Sequence, residues 1–364
     1  MEKIKLSNFG FRILQIETKA ACNMACSFCP YPLKEDKTSS LEMNEIKKII
    51  NQISSGDKEF KYITFSQFNE PLLDSRIFEI IEYTKRLGHK IYFITNGLLL
   101  NKEKNRDELI RLKPDIKISL QIIETGKHQD GRGLNMDLLN YSKTIFDFCK
   151  RAKNEDINIT IDIGCNFNDN KFKYYLKKIL GLQSGDPSII NDKKNTLNLF
   201  AQFLEQMLKV DPNYFNETKI KDILDKPHSI KTNAQLSDYI NQKGIKIADN
   251  IEIKFKPFFY GRRISEFYEL PSNAFLCKSE ILAVLADGSI VPCCLTYDDS
   301  IALGNIKKNS FQQVLEKNEF LKNLRKYSGK KHEVCKKCFG EPTKRGVVFR
   351  TIYNQFKRLI GDKN

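Results

Sequence analysis

Short apolar runs alternating with longer amphipathic ones through the first two hundred residues constrain this chain most, because that order is the mark of repeated βα units. Strand-like runs are Arg12 to Thr18, Tyr62 to Ser66, Lys90 to Thr95, Ile116 to Gln121, Ile157 to Ile163 and Ile251 to Lys256. Between the first five fall helical patterns at Asn44 to Ile53, Arg76 to Leu87, Lys104 to Leu112 and Tyr141 to Ala152, with apolar residues three and four apart. Six such strands with helical crossovers predict an α/β fold: a parallel sheet able to curl into a partial (β/α)6 barrel. In the fifth run Ile157, Ile159, Ile161 and Ile163 alternate with Asn158, Thr160 and Asp162. One face should therefore meet helices and the other line a polar lumen.

The stretch of about 166–250 replaces a single crossover and reads as a helical insertion over the barrel mouth. Its clearest periodic pieces are Thr196 to Lys209 and Ala234 to Gln242, and Asp211-Pro212 and Lys226-Pro227 break it. After the sixth strand the texture changes to Ile281 to Leu285, the turn Asp287-Gly288, Ile290-Val291 and Leu303-Gly304-Asn305-Ile306. Ser310 and Gln313 then open a helix with a capping-box pattern. The expected division is a barrel over 1–265, a small C-terminal unit over 266–345 and an amphipathic helix over 346–364. That last helix carries a stripe of Phe349, Ile352, Tyr353, Phe356 and Ile360, expected to pack on its own domain rather than on a membrane surface or partner.

The 364 residues carry a net charge of +15 and ten cysteines. No apolar run is long enough to span a bilayer, and the first residues lack a secretory signal core, so no transmembrane segment is expected and the location is cytoplasmic. In a reducing compartment the cysteines are thiols or metal ligands rather than disulfides. Lys, Asn and Ile abound along the whole chain, which weakens the case that the positive charge marks a nucleic-acid surface.

Cys22, Cys26 and Cys29 lie within eight residues, just after the first strand. Three close thiolates suit iron–sulfur or zinc. Structural zinc normally takes four protein ligands, and the next histidine is distant His89. A four-iron cluster on three thiolates would leave one iron open.

This CxxxCxxC after an N-terminal strand, with Phe28 before the third cysteine, resembles the radical S-adenosylmethionine (SAM) superfamily. The resemblance implies a 4Fe-4S cluster on Cys22, Cys26 and Cys29, with the open iron chelated by SAM. It further implies reductive cleavage of SAM to methionine and a 5′-deoxyadenosyl radical, which abstracts hydrogen from substrate. A reductant such as flavodoxin or ferredoxin would supply the electron. Phe68-Asn69-Glu70-Pro71 resembles the family's Gly-Gly-Glu-Pro-like motif, with Phe68 and Asn69 in place of the glycines. Ile94-Thr95-Asn96-Gly97 resembles the end of its third strand. By this resemblance Glu70 meets the methionine amine, Phe28 packs beside adenine, Asn96, Ser119 and Gln121 join the SAM contacts, and Pro257 to Gly261 gives backbone contacts to adenine.

Cys277, Gly288 and Cys293 follow a CX10GX4C spacing, and Cys335-Lys-Lys-Cys338 comes later. Chemically, four such cysteines suit zinc or a closed 4Fe-4S cluster. Their spacing resembles a short form of the SPASM/twitch extension of radical SAM enzymes, implying one auxiliary 4Fe-4S cluster on Cys277, Cys293, Cys335 and Cys338. Cys294 is expected as a spare thiol and Cys149 as core. Cys165 has the parity of the Ile face, which argues against hydrogen donation to a substrate radical.

The resemblance implies a net two-electron oxidation of a small polar, sugar- or cyclitol-like molecule, with a peptide- or protein-modifying maturase as the alternative. Peptide-modifying members often carry a leader-binding domain before the barrel, whereas few residues precede the first strand here. Lys254 and Lys256 are candidates for an anionic group. A reading of another class is a non-catalytic metal-binding protein that binds RNA through Lys254 to Arg263, with Phe258, Phe259 and Tyr260 for stacking.

Overall fold

A computed structural model of the chain describes residues 3–26, 29–120, 138–165, 245–257, 267–293, 295–316, 318–326, 329–341 and 343–359. All six expected strands form, the first three shorter than their apolar runs: β1 (Ile13–Ile16), β2 (Tyr62–Thr64), β3 (Tyr92–Thr95), β4 (Asp115–Leu120), β5 (Ile159–Cys165) and, sixth in the parallel series, Ile251–Pro257. The crossover helices are α1 (Met43–Asn51), α2 (Ile77–Arg86), α3 (Glu103–Leu112) and α4 (Leu138–Ala152). Their periodic apolar residues turn inward, as Ile46, Ile49 and Ile50 do on α1 and Ile77, Ile80 and Ile81 on α2. Helix α1 starts where Glu42 and Glu45 form a reciprocal capping box.

One strand was not anticipated. Ile245–Ala248, here β6, pairs antiparallel with Ile251–Pro257, here β7, where the sequence suggested a helical insertion reaching 250. Ile245 and Ile247 sit on alternate positions, a period-two pattern too short to stand out in a polar stretch. The helical patterns at 196–209 and 234–242 lie outside the described residues.

Strands β3, β4, β5 and β7 are parallel neighbours in that order, β1 and β2 are parallel, and a bridge between Ile63 and Ile91 joins the two sets. Six parallel strands thus follow one another in chain order, as a partial (β/α)6 barrel requires. The C-terminal segment continues this architecture. Strand β8 (Ile281–Val284) pairs in parallel with β1, while β9 (Ser289–Val291) and β10 (Gly304–Asn305) extend the sheet antiparallel. The expected boundary near 265 therefore does not divide the sheets.

Helices α5 (Phe311–Glu316), α6 (Glu319–Leu324) and α7 (Glu333–Cys338) follow, and α8 (Lys344–Leu359) ends the described chain. The expected packing of the last helix holds only in part. Val347 packs on a small core of Leu270, Ala274, Phe275, Leu324 and Cys335, but Val348, Ile352 and Phe356 are exposed because they lie on the opposite stripe. Cys149 is fully buried, as expected. No helix among the described residues is long and apolar enough to cross a membrane.

Candidate functional site

Cys22, Cys26 and Cys29 are half-buried in the loop that leaves β1. That loop is fastened to the ends of β2 and β3. The Glu70 N–H donates to the Ala21 carbonyl at 2.8 Å, and Asn96 Nδ2 donates to Asn23 Oδ1 at 2.8 Å. Asn96 Oδ1 also accepts from the Leu98 N–H, so its side chain orients the cysteine loop and caps the turn after β3. Glu70 is buried and accepts from the Thr95 hydroxyl (2.8 Å), the Asn96 N–H (2.8 Å) and the Leu72 N–H (3.2 Å). Burial pushes its carboxyl up to about 7 against the pull of these bonds. A negative charge at Glu70 in turn raises the Cys22 thiol, itself pushed up to about 12 mainly by desolvation.

Gly97 has φ +80°, and a Cβ there would sit 3.1 Å from Ile118 and 3.2 Å from Ile145. Gly97→Ala should cost about 1–3 kcal/mol through the strained backbone and the crowded helix α4. Thermal denaturation measures it. An unchanged melting temperature would contradict the packing described.

The second set gathers on the C-terminal segment. The Cys277 N–H donates to the Leu324 carbonyl at 3.1 Å, and Cys335 and Cys338 lie one turn apart on α7, whose start His332 caps. Phe275 and Phe339 stack at 4.3 Å between ring centroids. Burial raises Cys277, Cys335 and Cys338, and charge on neighbouring members of the set raises them further, Cys335 to about 12. Gln67 Nε2, in the loop after β2, donates to the carbonyls of Cys293 and Thr296, each at 3.2 Å. One short loop thus touches both cysteine sets, since Glu70 holds the first.

Both sets fit iron–sulfur ligation in their donor chemistry. The N–H of the residue two positions ahead donates to sulfur at Cys29 (from Tyr31, 3.4 Å), Cys277 (from Ser279, 3.4 Å) and Cys293 (from Leu295, 3.2 Å). Such bonds favour thiolate and tune cluster sulfurs. Crowded thiols with raised pKa values need a positive centre to ionise, which iron supplies. Among the described residues no group of three His, Cys, Asp or Glu side chains is drawn tightly enough together to hold a single metal ion.

The strands also present a polar face. Ile116, Ile118, Ile159 and Ile161 enter the main core, leaving Lys117, Ser119, Thr160 and Asp162 on the opposite side of β4 and β5. Lys117 Nζ lies 2.7 Å from Asp162 Oδ2, and Thr160 donates to Glu252 at 3.0 Å. Tyr92 bonds Thr160 and is pushed up to about 12 mainly by burial, with the Asp162 charge adding to it. Lys254, a candidate for an anionic group, pairs with Glu252 of its own strand. A separate cleft of about 400 Å3 opens between Leu33–Asp36, Leu285–Asp287 and Tyr297–Asp299, and no cysteine lines it.

Glu70 and Asn96 therefore come together beside the first cysteine set, and Ser119 stands on the polar face of β4. Phe28, Gln121, Cys294, the 258–261 segment with Phe258, Phe259 and Tyr260, and the side chains of Cys165 and Lys256 lie outside what is described. Sequence reasoning missed Asn23, Gln67, and the buried pair of Glu17 and Lys34 at the end of β1, where Glu17 also accepts from the Ala286 N–H. Asn23 lies inside the cysteine motif, which was its only signal. Gln67 had none.

The sequence pattern of the Radical SAM superfamily matches residues 16–179, and that of SPASM, an iron-sulfur cluster-binding domain, matches 277–339. An uncharacterized protein of Methanocaldococcus jannaschii is 30% identical over 109 residues, 30% of this chain and 32% of the relative. The tungsten-containing aldehyde ferredoxin oxidoreductase cofactor-modifying protein of Pyrococcus furiosus is 26% identical over 118 residues, 32% of this chain and 33% of the relative. The matched stretch thus spans about a third of each curated relative. Among solved structures, BtrN in complex with AdoMet and 2-DOIA is 16% identical, with 92% of this chain and 93% of that chain covered and a TM-score of 0.44. For anSMEcpe with bound AdoMet the values are 16%, 96%, 98% and 0.47. The two domain matches contain all seven cysteines of the two sets: the chain carries a Radical SAM superfamily domain over residues 16–179 and a SPASM iron–sulfur cluster-binding domain over 277–339.

Proposed function

We propose that Cys22, Cys26 and Cys29 hold the SAM-binding 4Fe-4S cluster, that Cys277, Cys293, Cys335 and Cys338 hold an auxiliary one, and that the enzyme oxidises a small polar, sugar- or cyclitol-like molecule by two electrons. When bound, the first cluster supplies the electron that cleaves SAM and so opens radical chemistry. The chain's own residues do the rest. Asn23 and Asn96 orient the cysteine loop, Glu70 offers a carboxylate at the join of β2 and β3, and Gln67 couples that join to the Cys293 loop.

The observation that carries the substrate class is the inner strand face. Lys117, Asp162, Thr160, Glu252, Lys254 and Tyr92 supply charged groups and hydrogen-bonding partners from four strands, suiting hydroxyl and amine groups better than apolar surface. Incubation with deuterated polyols or aminocyclitols should transfer deuterium into 5′-deoxyadenosine and yield a carbonyl product. Deuterium transfer from peptides, with none from polyols, would overturn the small-molecule reading.

Glu70 makes a pH prediction. Its carboxyl titrates near 7, so the negative charge facing an incoming ammonium is complete above that value and lost as pH falls through it. SAM should bind about tenfold more weakly at pH 6 than at pH 8, and Glu70→Gln should remove that slope. Equilibrium binding across the range tests this, and an identical slope in the variant would contradict it.

A further inference from the structure

Two cations beside the second cysteine set form no ion pair among the described residues. Lys331 is buried, and its ammonium donates to the carbonyls of Asn323 (2.8 Å), Gly329 (3.1 Å) and Lys326, with the Phe275 ring 5.8 Å away. The Arg325 guanidinium lies 4.9 Å over Phe11, and its Nη2 donates to the carbonyls of Gly10 (3.1 Å) and Ser279 (3.0 Å). Its Nε is buried and has no hydrogen-bond partner among the described residues. Neither cation belongs to an ion pair of the described residues, whereas nearby Arg350 is matched by Glu341 at 2.7 Å. Glu280 acts on Arg325 from a distance but is already held by Arg12 and Lys61.

Carbonyl dipoles solvate a buried cation without neutralising it, so a counter-charge is expected close by. Arg325 bonds the carbonyl of Ser279, whose N–H donates to Cys277 Sγ at 3.4 Å, and Lys331 faces Phe275, which shares the small core with Cys335. The cysteine set beside them is the acceptor of that charge that the proposal assigns. Four thiolates around an oxidised 4Fe-4S core carry a net charge of about −2, which becomes about −3 when the core takes up one electron. A fixed positive charge favours the more negative state.

We propose that Arg325 and Lys331 are the counter-charges of the auxiliary cluster and raise its reduction potential, fitting it to accept an electron during turnover. This rests on the assignment of Cys277, Cys293, Cys335 and Cys338 as its ligands. A purely structural role, Lys331 closing the end of α6 and Arg325 pinning Gly10 to Ser279, would leave the potential unmoved.

The test uses the full chain with Cys22→Ala, Cys26→Ala and Cys29→Ala, reconstituted anaerobically with iron and sulfide. Dithionite supplies the electron, and electron paramagnetic resonance follows the reduced cluster during a redox titration. In this background Arg325→Gln and Lys331→Gln should each shift the reduced-to-oxidised ratio at fixed potential about tenfold toward oxidised, about 59 mV for a one-electron couple. Arg325→Lys, which keeps the charge, should match the parent, so loss of folding in one Gln variant leaves the comparison intact. About four irons per chain with equal potentials in all variants would overturn the proposal and leave the ligand assignment standing. Iron near zero in the parent background would overturn both.

Discussion

Cys26→Ala in anaerobically reconstituted protein lowers bound iron from about eight to about four atoms per chain and reduces 5′-deoxyadenosine release to background. The expected loss is near total because the three thiols share one loop and no further Cys or His stands near them in the sequence before His89. Asn23 and Asn96 hold that loop whichever cysteine is changed, so the fold should persist. Matched melting temperatures alongside lost product would separate chemistry from stability. Full activity in Cys26→Ala would remove this cysteine set from the reaction.

Cys335→Ala has the second large effect, and a different one. Cys335 is both a ligand candidate and part of the small core with Leu270, Ala274, Phe275 and Leu324. Without iron its thiol, pushed up to about 12, stays protonated at neutral pH and contributes only packing. Losing a folding-coupled metal centre should destabilise the C-terminal segment by several kcal/mol, visible as rapid proteolysis around α6 and α7. Iron should fall to about four atoms per chain while SAM cleavage weakens without vanishing. It weakens because β8 pairs with β1, the strand that launches the first cysteine loop, and because Gln67 bonds the Cys293 carbonyl. Unchanged proteolysis with eight irons retained would contradict the assignment.

Much of this was legible in sequence because the fold repeats. Isoleucines at alternate positions and helices with residues three and four apart mark each βα unit. Cysteine spacing marks both candidate cluster sites without any need for contacts. What stayed hidden is long-range. Nothing local in Ile281 to Val284 says that it pairs with Ile13 to Ile16, more than two hundred and fifty residues away. Gln67, Arg325 and Lys331 are ordinary polar residues by composition, and they gain meaning only from the carbonyls that the fold brings to them. Lys254 shows the reverse. Its strand position left an anionic ligand or plain solvation open, and Glu252, two residues earlier on the same face, pairs with it.

The central claim is that the Cys22 set turns an electron into SAM cleavage. It is tested most directly by adding SAM and dithionite to the reconstituted protein and quantifying 5′-deoxyadenosine and methionine by chromatography. The account predicts both products in equal amounts from protein carrying about eight irons. Protein carrying about one zinc, little iron and releasing neither product would contradict it.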